Sequence, residues 1–438
     1  MSSPPLLSSH PSGSGSPSGP GAVPGAGAAS APTPPPLRRA TVSELRLVAF
    51  KSHVGGVLPL APVTLLEGVS GAGKSNVLDG LAALSGLAGG AELAEALAPI
   101  RGGLVGCVPH GRPGFRLGCT VQTPQGGAVR LEVAVRTDGG PRIVAERITE
   151  TRPGEPLRVL LSTAEEDRAR HRVNATWHSD GRQGDIRAPL SADSLLAAQL
   201  PLRIAGATAG ERRVLAAVEA LLTALREVFP IDPVPALMRG WVPAADDAGL
   251  RSSAENLSAV LARIQGECRI RYGRLVQTVR AASPVPVREL GVLRGRGADG
   301  VERVVAALWE EQGGCTPAGL MGSGLLRRIA FATVLLTGPG VLQMESAEVP
   351  EAERLLTVLA DGLDPDLLAL AAEVAERGHV RVLATARDGG GGGVAAGAGV
   401  GVLPAGVRVV GCRRDPATGY SVLEPGAGPG ERDGTMGA

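Results

Sequence analysis

Apolar and polar positions alternate over residues 43–50, where Leu45, Leu47 and Ala49 take every second place, and this period of two predicts a strand. A second short apolar strand is predicted over 62–66, followed by a loop over 67–73. Residues 75–87 then switch to helical spacing, with Val77, Leu78, Leu81 and Leu84 on one stripe. Several β-rich runs separated by Pro and Gly turns follow over 115–136 and 142–161. From about 190 to 312 the pattern becomes mainly helical. Val214, Leu215, Val218, Leu221, Leu222 and Leu225 mark one helix over 211–228, and Leu257, Val260, Leu261, Ile264, Cys268, Leu275 and Val276 mark another over 254–279. That second seam is too short for a long coiled-coil arm.

The last ordered section alternates the two periods. Helices are predicted over 325–336, 352–359 and 366–375, a short strand over 341–344 and a buried strand over 380–384. This βα rhythm implies a parallel sheet. A glycine run at 389–393 reads as a loop, and 407–422 as a closing hairpin turning at 415–419.

Composition adds the boundaries. Residues 1–40 are largely Ser, Pro, Gly and Ala with hardly any charge, and cannot bury enough apolar surface to offset their ordering entropy. A disordered tail is expected there, and another over 424–438. Between them lie an N-terminal half at 41–189, a helical insertion at 190–312 and a C-terminal half at 313–423. Hydrophobic residues make up 44% of the chain and aromatics only 2%, so the core is built from Leu, Val and Ala. The apolar stretch at 4–7 is too short for a signal peptide. The stretch 329–344 is broken by Gly338, Pro339 and Gly340 and is too short to span a bilayer, so a cytoplasmic protein with no membrane partner is expected. Net charge is +1, which argues against a broad basic surface. The five cysteines show no Cys-x-x-Cys spacing and read as buried, reduced thiols.

Chemistry concentrates at 68–75, Gly-Val-Ser-Gly-Ala-Gly-Lys-Ser, between the second strand and the first helix. Glycines in this spacing let successive backbone N–H groups point at phosphates, and the following helix N-terminus adds its dipole. The nucleotide-contacting set is Gly68, Ser70, Gly71, Ala72, Gly73, Lys74, Ser75 and Asn76, with Lys74 on the β and γ phosphates and the Ser75 hydroxyl on Mg²⁺. Glycine is common (63 of 438 residues), but of the 44 basic residues only Lys51 and Lys74 are lysine. At those frequencies a chance match arises about 1 time in 200. ATP or GTP binding follows.

Around this loop the sequence Leu45-Arg-Leu-Val-Ala-Phe-Lys51-Ser52, together with Ser75-Asn76-Val77-Leu78-Asp79-Gly80-Leu81, resembles the start of RecF/SMC-like ATPases of the ABC superclass, the bacterial "AAA family" ATPases. The section 317–388 is similar to their C-terminal half, and the resemblance spans roughly 42–412. It implies an α/β P-loop NTPase fold, an ABC-type ATPase head with a mixed sheet and a helical insertion, using ATP and Mg²⁺ and dimerising with nucleotide. It also implies a signature loop, matched by Met321-Gly322-Ser323-Gly324, in which Ser323 and Gly324 would reach the γ-phosphate in a second copy. Gly322 stands where the family has serine. The family's metal-and-water strand would be 341–344, leading to Glu345 as the one catalytic carboxylate, where two are usual. The switch histidine would fall at Ala386, and Gln122 is the available candidate for the family's Q-loop.

Two readings follow: an ATP hydrolase of this type acting in DNA maintenance or defence, or a degenerate module that holds ATP in a regulatory or structural role and hardly turns it over. DNA as a partner would call on Arg263, Arg269, Arg271, Arg274 and Arg280, which also fit a solvated helix face interleaved with Glu. Phe50 is a candidate adenine contact or a core residue. His110, His171 and His178 lack ligand-like spacing.

Overall fold

The computed structural model describes residues 39–167, 171–181, 184–283, 285–344, 355–386 and 404–425. Residues 1–38 and 426–438 of the expected tails, the glycine run and Glu345 lie outside the described residues, whereas residues 424 and 425, expected in the C-terminal tail, end the last strand, paired with its hairpin partner.

The alternating segment at the start forms β1 (Thr41–Phe50), which turns back as β2 (His53–Pro59) with antiparallel register from Glu44↔Pro59 to Phe50↔His53. The next strand, β3 (Val63–Glu67), buries its first four residues because both of its faces are covered. Leu66 packs into one core while Val63 and Leu65 pack into the other. The glycine loop then leads into α1 (Lys74–Ala88), which buries Val77, Leu78, Leu81 and Leu84 as the spacing predicts.

Short helices α2 (Leu93–Ala96) and α3 (Gly103–Gly106) connect α1 to an antiparallel meander. The meander runs β4 (Gly114–Gln122), β5 (Ala128–Arg136), β6 (Arg142–Thr151), β7 (Arg158–Asp167), β8 (Arg172–Trp177) and β9 (Ile186–Ser191). It joins the same sheet through β1↔β4. After α4 (Leu196–Gln199) comes α5 (Ala209–Arg226), opened by a capping box in which Thr208 and Glu211 satisfy each other's backbone N–H groups.

The segment from 190 to 312 is less helical than its sequence pattern predicts. Strand β10 (Val228–Ile231) enters the main sheet directly after α5. Beyond α6 (Pro235–Met238) and β11 (Val242–Pro243), the predicted helix of 254–279 is two helices, α7 (Leu257–Glu267) and α8 (Arg269–Ala282), parted at Cys268 with extended φ −145 and ψ 94. A second, antiparallel sheet then forms from β12 (Val287–Arg296), β13 (Glu302–Glu310) and β14 (Cys315–Pro317), with β11 and β14 sharing the edge of β13 opposite β12. These strands pack against α7, where the Ser258 hydroxyl accepts from Ala306 N at 2.9 Å.

Helix α9 (Ser323–Thr337) is followed by a 3₁₀ turn at Pro339–Val341. The strand predicted over 341–344 is absent: Leu342 makes one isolated bridge, to Leu250. Strand β15 (Leu356–Leu363) occupies part of the stretch predicted as a helix over 352–359. Leu356, Val358 and Leu359 fit either period, and what decides is pairing on both sides, with β10 and with β16 (Val380–Ala386). Between them α10 (Pro365–Glu376) starts on an Asp364 N-cap that accepts from Leu367 N. The chain closes with the hairpin β17 (Val407–Arg414) and β18 (Ser421–Pro425).

The main sheet is mixed, in the order β10-β15-β16-β3-β17-β18-β2-β1-β4-β5-β6-β7-β8-β9. Its strands β10, β15, β16, β3 and β17 are mutually parallel. In such a sheet ligands bind beyond the carboxyl ends of the parallel strands. The glycine loop leaves β3 at that edge.

Candidate functional site

Three glycines shape the loop. Gly68, Gly71 and Gly73 have φ of +146, +80 and +106, a region that side chains rarely enter. At Gly68 the reason is also close approach: a Cβ there would stand 2.0 Å from the carbonyl oxygen of Cys412 on β17. A Cβ on Gly73 would stand 2.3 Å from the Ser421 hydroxyl on β18. The C-terminal hairpin is therefore the backing of the loop.

Polar contacts tie that backing together. Ser421 Oγ donates to Ala72 O at 2.6 Å, so in its 2.8 Å contact with Ser52 it accepts the Ser52 proton. Ser52 Oγ in turn accepts from Asn76 Nδ2 at 2.8 Å. The Cys412 thiol donates to the same Ala72 carbonyl at 3.3 Å, and burial pushes its pKa up to about 11 despite the opposing charges of Lys74 and Arg414. His53 is fully buried, with Nε2 3.0 Å from Gly73 O. Since a carbonyl only accepts, Nε2 carries the proton. Burial lowers the pKa of His53; the Gly73 bond opposes this, and the Arg414 charge lowers it further. The imidazole is thus neutral near pH 7.

Lys74 is buried, its Nζ donating to Gly68 O at 2.5 Å and Val69 O at 3.2 Å. A cavity of about 490 Å³ opens beside it, bounded on the loop side by Ser70, Gly71, Gly73, Lys74, Ser75 and Asn76. Its other lining residues are Arg101, Asp361, Gly362, Thr385, Ala386 and Arg414. Ala72 is buried beneath the loop and presents its carbonyl to the hairpin.

Asp361 is the residue that sequence reasoning missed. It sits near the end of β15, where Asp361 and Gly362 bulge against Thr385 between the pairs Ala360↔Ala384 and Leu363↔Ala386. A bulge re-aims side chains at the end of a strand. Thr385 Oγ1 donates to Asp361 Oδ1 and accepts from Gly362 N at 2.8 Å, which fixes the carboxylate toward the cavity. The signal available in the sequence was the apolar run 356–360 ending in an acidic residue and a glycine. Arg101 links this carboxylate to the loop helix, with Nη1 3.9 Å from Asp361 Oδ2 and Nη2 2.8 Å from Asp79 Oδ2. Lys51 Nζ donates to Asp79 at 2.8 Å and to Arg101 O at 2.6 Å, so the second lysine braces the arginine rather than facing the cavity itself.

Other expectations fall elsewhere. Ser323 and Gly324 do not line this cavity; Ser323 Oγ accepts from Arg239 Nη2 at 3.1 Å at the start of α9. Gln122 Nε2 contacts Ser43 Oγ at 3.4 Å on β4 and is not at the cavity. Phe50 is fully buried edge-on to Phe115 with ring centroids 5.9 Å apart, which makes it a core residue. Ala386 does line the cavity, at the position expected for the switch residue. Of the five insertion arginines, three bond backbone carbonyls: Arg263 to Ala248 O, Arg271 to Thr337 O and Arg280 to Val287 O. His171 faces Asp193, and His178 faces Asp180 and Asp185. Among the cysteines, Cys107, Cys119 and Cys412 are buried as expected, whereas Cys268 is half-buried and Cys315 exposed.

Among the described residues no group of three or more His, Cys, Asp or Glu could hold a metal by itself. Ser75 and Asp361, which line the same cavity, instead suit Mg²⁺, which takes one or two protein oxygens and completes its shell with phosphate and water. No helix of the described residues is long and apolar enough to cross a membrane.

No protein-family model matches the chain. No curated protein matches it either. Among solved structures it is similar to the SMC head domain from Thermotoga maritima, at 12% identity and a TM-score of 0.36, over 89% of this chain and 100% of that one. It is also similar to the recombination mediator protein RecF of the RecFOR pathway, solved with ATP and as RecF-ATPrS. The RecF-ATPrS structure is 11% identical over 89% of this chain and 99% of that one, at a TM-score of 0.37. The ATP form is 11% identical over 85% and 97%, at 0.36. At these values the likenesses carry no weight for the site, which stands on its own geometry.

Proposed function

We propose that this chain binds Mg²⁺-ATP in the cavity between the glycine loop and the ends of β15 and β16. One observation carries the reading: a strand–loop–helix phosphate cradle with a buried lysine shares its cavity with a carboxylate fixed on β15, a parallel strand separated from β3 by β16. Backbone N–H groups of the loop and the N-terminus of α1 would hold the phosphates, with Lys74 neutralising their charge. Ser75 and Asp361 would hold Mg²⁺, which supplies charge neutralisation across the phosphates. Arg101 stands ready as a second cation.

Hydrolysis is the second part of the proposal, and Gly362 favours a slow rate. Activating water calls for a base separate from the metal carboxylate. Asp361 is the sole carboxylate lining the cavity among the described residues, and the next position is a glycine at φ +77. The chain therefore acts first as an ATP-binding module, with turnover that is weak by itself. Dimerisation through the loop at Ser323 and Gly324, a role on DNA and a cytoplasmic location belong to the RecF/SMC-like reading and are proposed with it.

Titration calorimetry with ATP and Mg²⁺, beside phosphate release, tests this. Wild type should bind ATP, Lys74→Ala should lose binding at least a hundredfold, and Asp361→Asn should bind ATP but lose its Mg²⁺ dependence. Wild-type protein that bound no ATP would end the proposal. Fast turnover in wild type would end its second part alone.

A further inference from the structure

Arg414 is unlike its neighbours. It ends β17, beside the glycine loop, and Nε donates to Gly71 O at 3.1 Å while Nη1 donates to Gly419 O at 2.7 Å. Those two carbonyls leave Nη2 without a partner among the described residues, and no described carboxylate pairs with the guanidinium. Arg413, one position earlier, is paired with Glu424. The Arg414 charge is felt at the loop's back, where it pulls down the pKa of both His53 and Cys412.

Its position gives the charge a use. A second cavity of about 390 Å³, lined in part by Lys51, Ser52, His110 and Tyr420, shares two wall residues with the first: Asn76 and Arg414. The two spaces therefore meet at Arg414. Asp361 and Thr385 line the first cavity and not the second, and on the reading above they mark its metal and terminal-phosphate end. A nucleotide laid from that end places its nucleoside in the second cavity and its innermost phosphate at the junction. A guanidinium presents a planar fork of donors matched to phosphate oxygens.

On the ATP reading above, we propose that Arg414 is a nucleotide-positioning residue, its guanidinium contacting the phosphate nearest the nucleoside while its carbonyl bonds hold the glycine loop against the C-terminal hairpin. ATP and ADP share that phosphate, so both should depend on Arg414 equally.

The test measures ATP and ADP affinities, with Mg²⁺, for wild type, Arg414→Ala, Arg414→Gln and Arg414→Lys. Loss of one charge-assisted contact predicts a roughly 10- to 100-fold weaker affinity for both nucleotides in Arg414→Ala, since each tenfold is one charged hydrogen bond's lower range. Arg414→Lys should recover most of it, because the charge returns. Arg414→Gln, which can still bond a carbonyl, should not. Unchanged affinity in Arg414→Ala overturns the proposal, as does a loss confined to ATP or a Gln variant as good as Lys. Wild-type protein that binds neither nucleotide refutes the ATP reading itself, which these variant patterns do not touch.

Discussion

Replacing Gly68 with alanine separates two costs that glycine hides. Its φ of +146 lies outside the side-chain range, and the new Cβ would stand 2.0 Å from Cys412 O, where real contacts stay above 3.0 Å. Relief needs a shift of about 1 Å between the loop and β17. That shift strains the Cys412–Ala72 and Arg414–Gly71 hydrogen bonds, each worth about 1 kcal/mol. Backbone strain adds roughly 1–3 kcal/mol. The sum predicts a loss of about 3–5 kcal/mol. Gly71→Ala is the matched control: its φ is +80, but nothing lies within 4 Å of the added carbon. It should cost about 1–2 kcal/mol, the left-handed penalty alone. Equilibrium urea unfolding of both variants at one pH reads the difference. Equal losses, or a Gly68→Ala protein as stable as wild type, would refute the claim that the hairpin backs the loop at van der Waals distance.

Further outcomes follow from buried titratable groups. Glu146 is buried and accepts from Leu196 N and Ala197 N, each at 2.7 Å; burial raises its pKa from 4.5 to about 7 against those two bonds. The folded state then holds the proton more tightly than the unfolded chain, so stability is full below pH 4.5 and falls as pH rises toward 7, by about 3 kcal/mol in all. Glu146→Gln should flatten that slope in unfolding curves taken from pH 4.5 to 7.5, and an unaltered slope would contradict the assignment. His53 works in the opposite direction: its lowered pKa means stability is lost as pH falls below 6.5, and His53→Gln should remove that part of the acid sensitivity. Burial pushes the thiols of Cys107 and Cys119 up to about 12 and that of Cys412 up to about 11, while Cys315 is exposed. Iodoacetamide at pH 8 should label Cys315 first in the native protein and the three buried thiols only on unfolding, as peptide mass spectrometry would show. Labelling of Cys412 at the rate of Cys315 would contradict its burial.

How far the sequence revealed the site depended on the range of each contact. The cradle was readable because its causes are local: glycines that permit positive φ, a lysine six residues from the carbonyl it bonds, and a helix starting at Lys74. Asp361 was hidden because a short apolar run has no period of its own. Residues 341–344 matched the expected form, apolar and followed by an acid, yet they form a 3₁₀ turn and one bridge. Residues 356–360 carry the same composition and become a strand only because β10 and β16 flank them. The helices predicted over 211–228 and 366–375 form as α5 and α10, the first carried by its 3.6 period. By contrast, β12 and β13 were hidden behind the helical neighbours that they pack against.

The hairpin carries this argument one step further. A P-loop motif is contiguous in sequence, but the rigidity of this loop is not. Ala72 O receives bonds from Ser421 and Cys412, Gly71 O from Arg414, and Gly73 O from His53. Three successive loop carbonyls are thus held by side chains from β2 and from the β17–β18 hairpin, more than three hundred residues apart in the chain. These bonds keep the three carbonyls turned away from the cavity, while Ala72 N donates within the loop, to Val69 O at 3.1 Å. The short motif therefore specifies the loop's glycines and lysine, while the hairpin and the buried, neutral His53 hold its carbonyls in place.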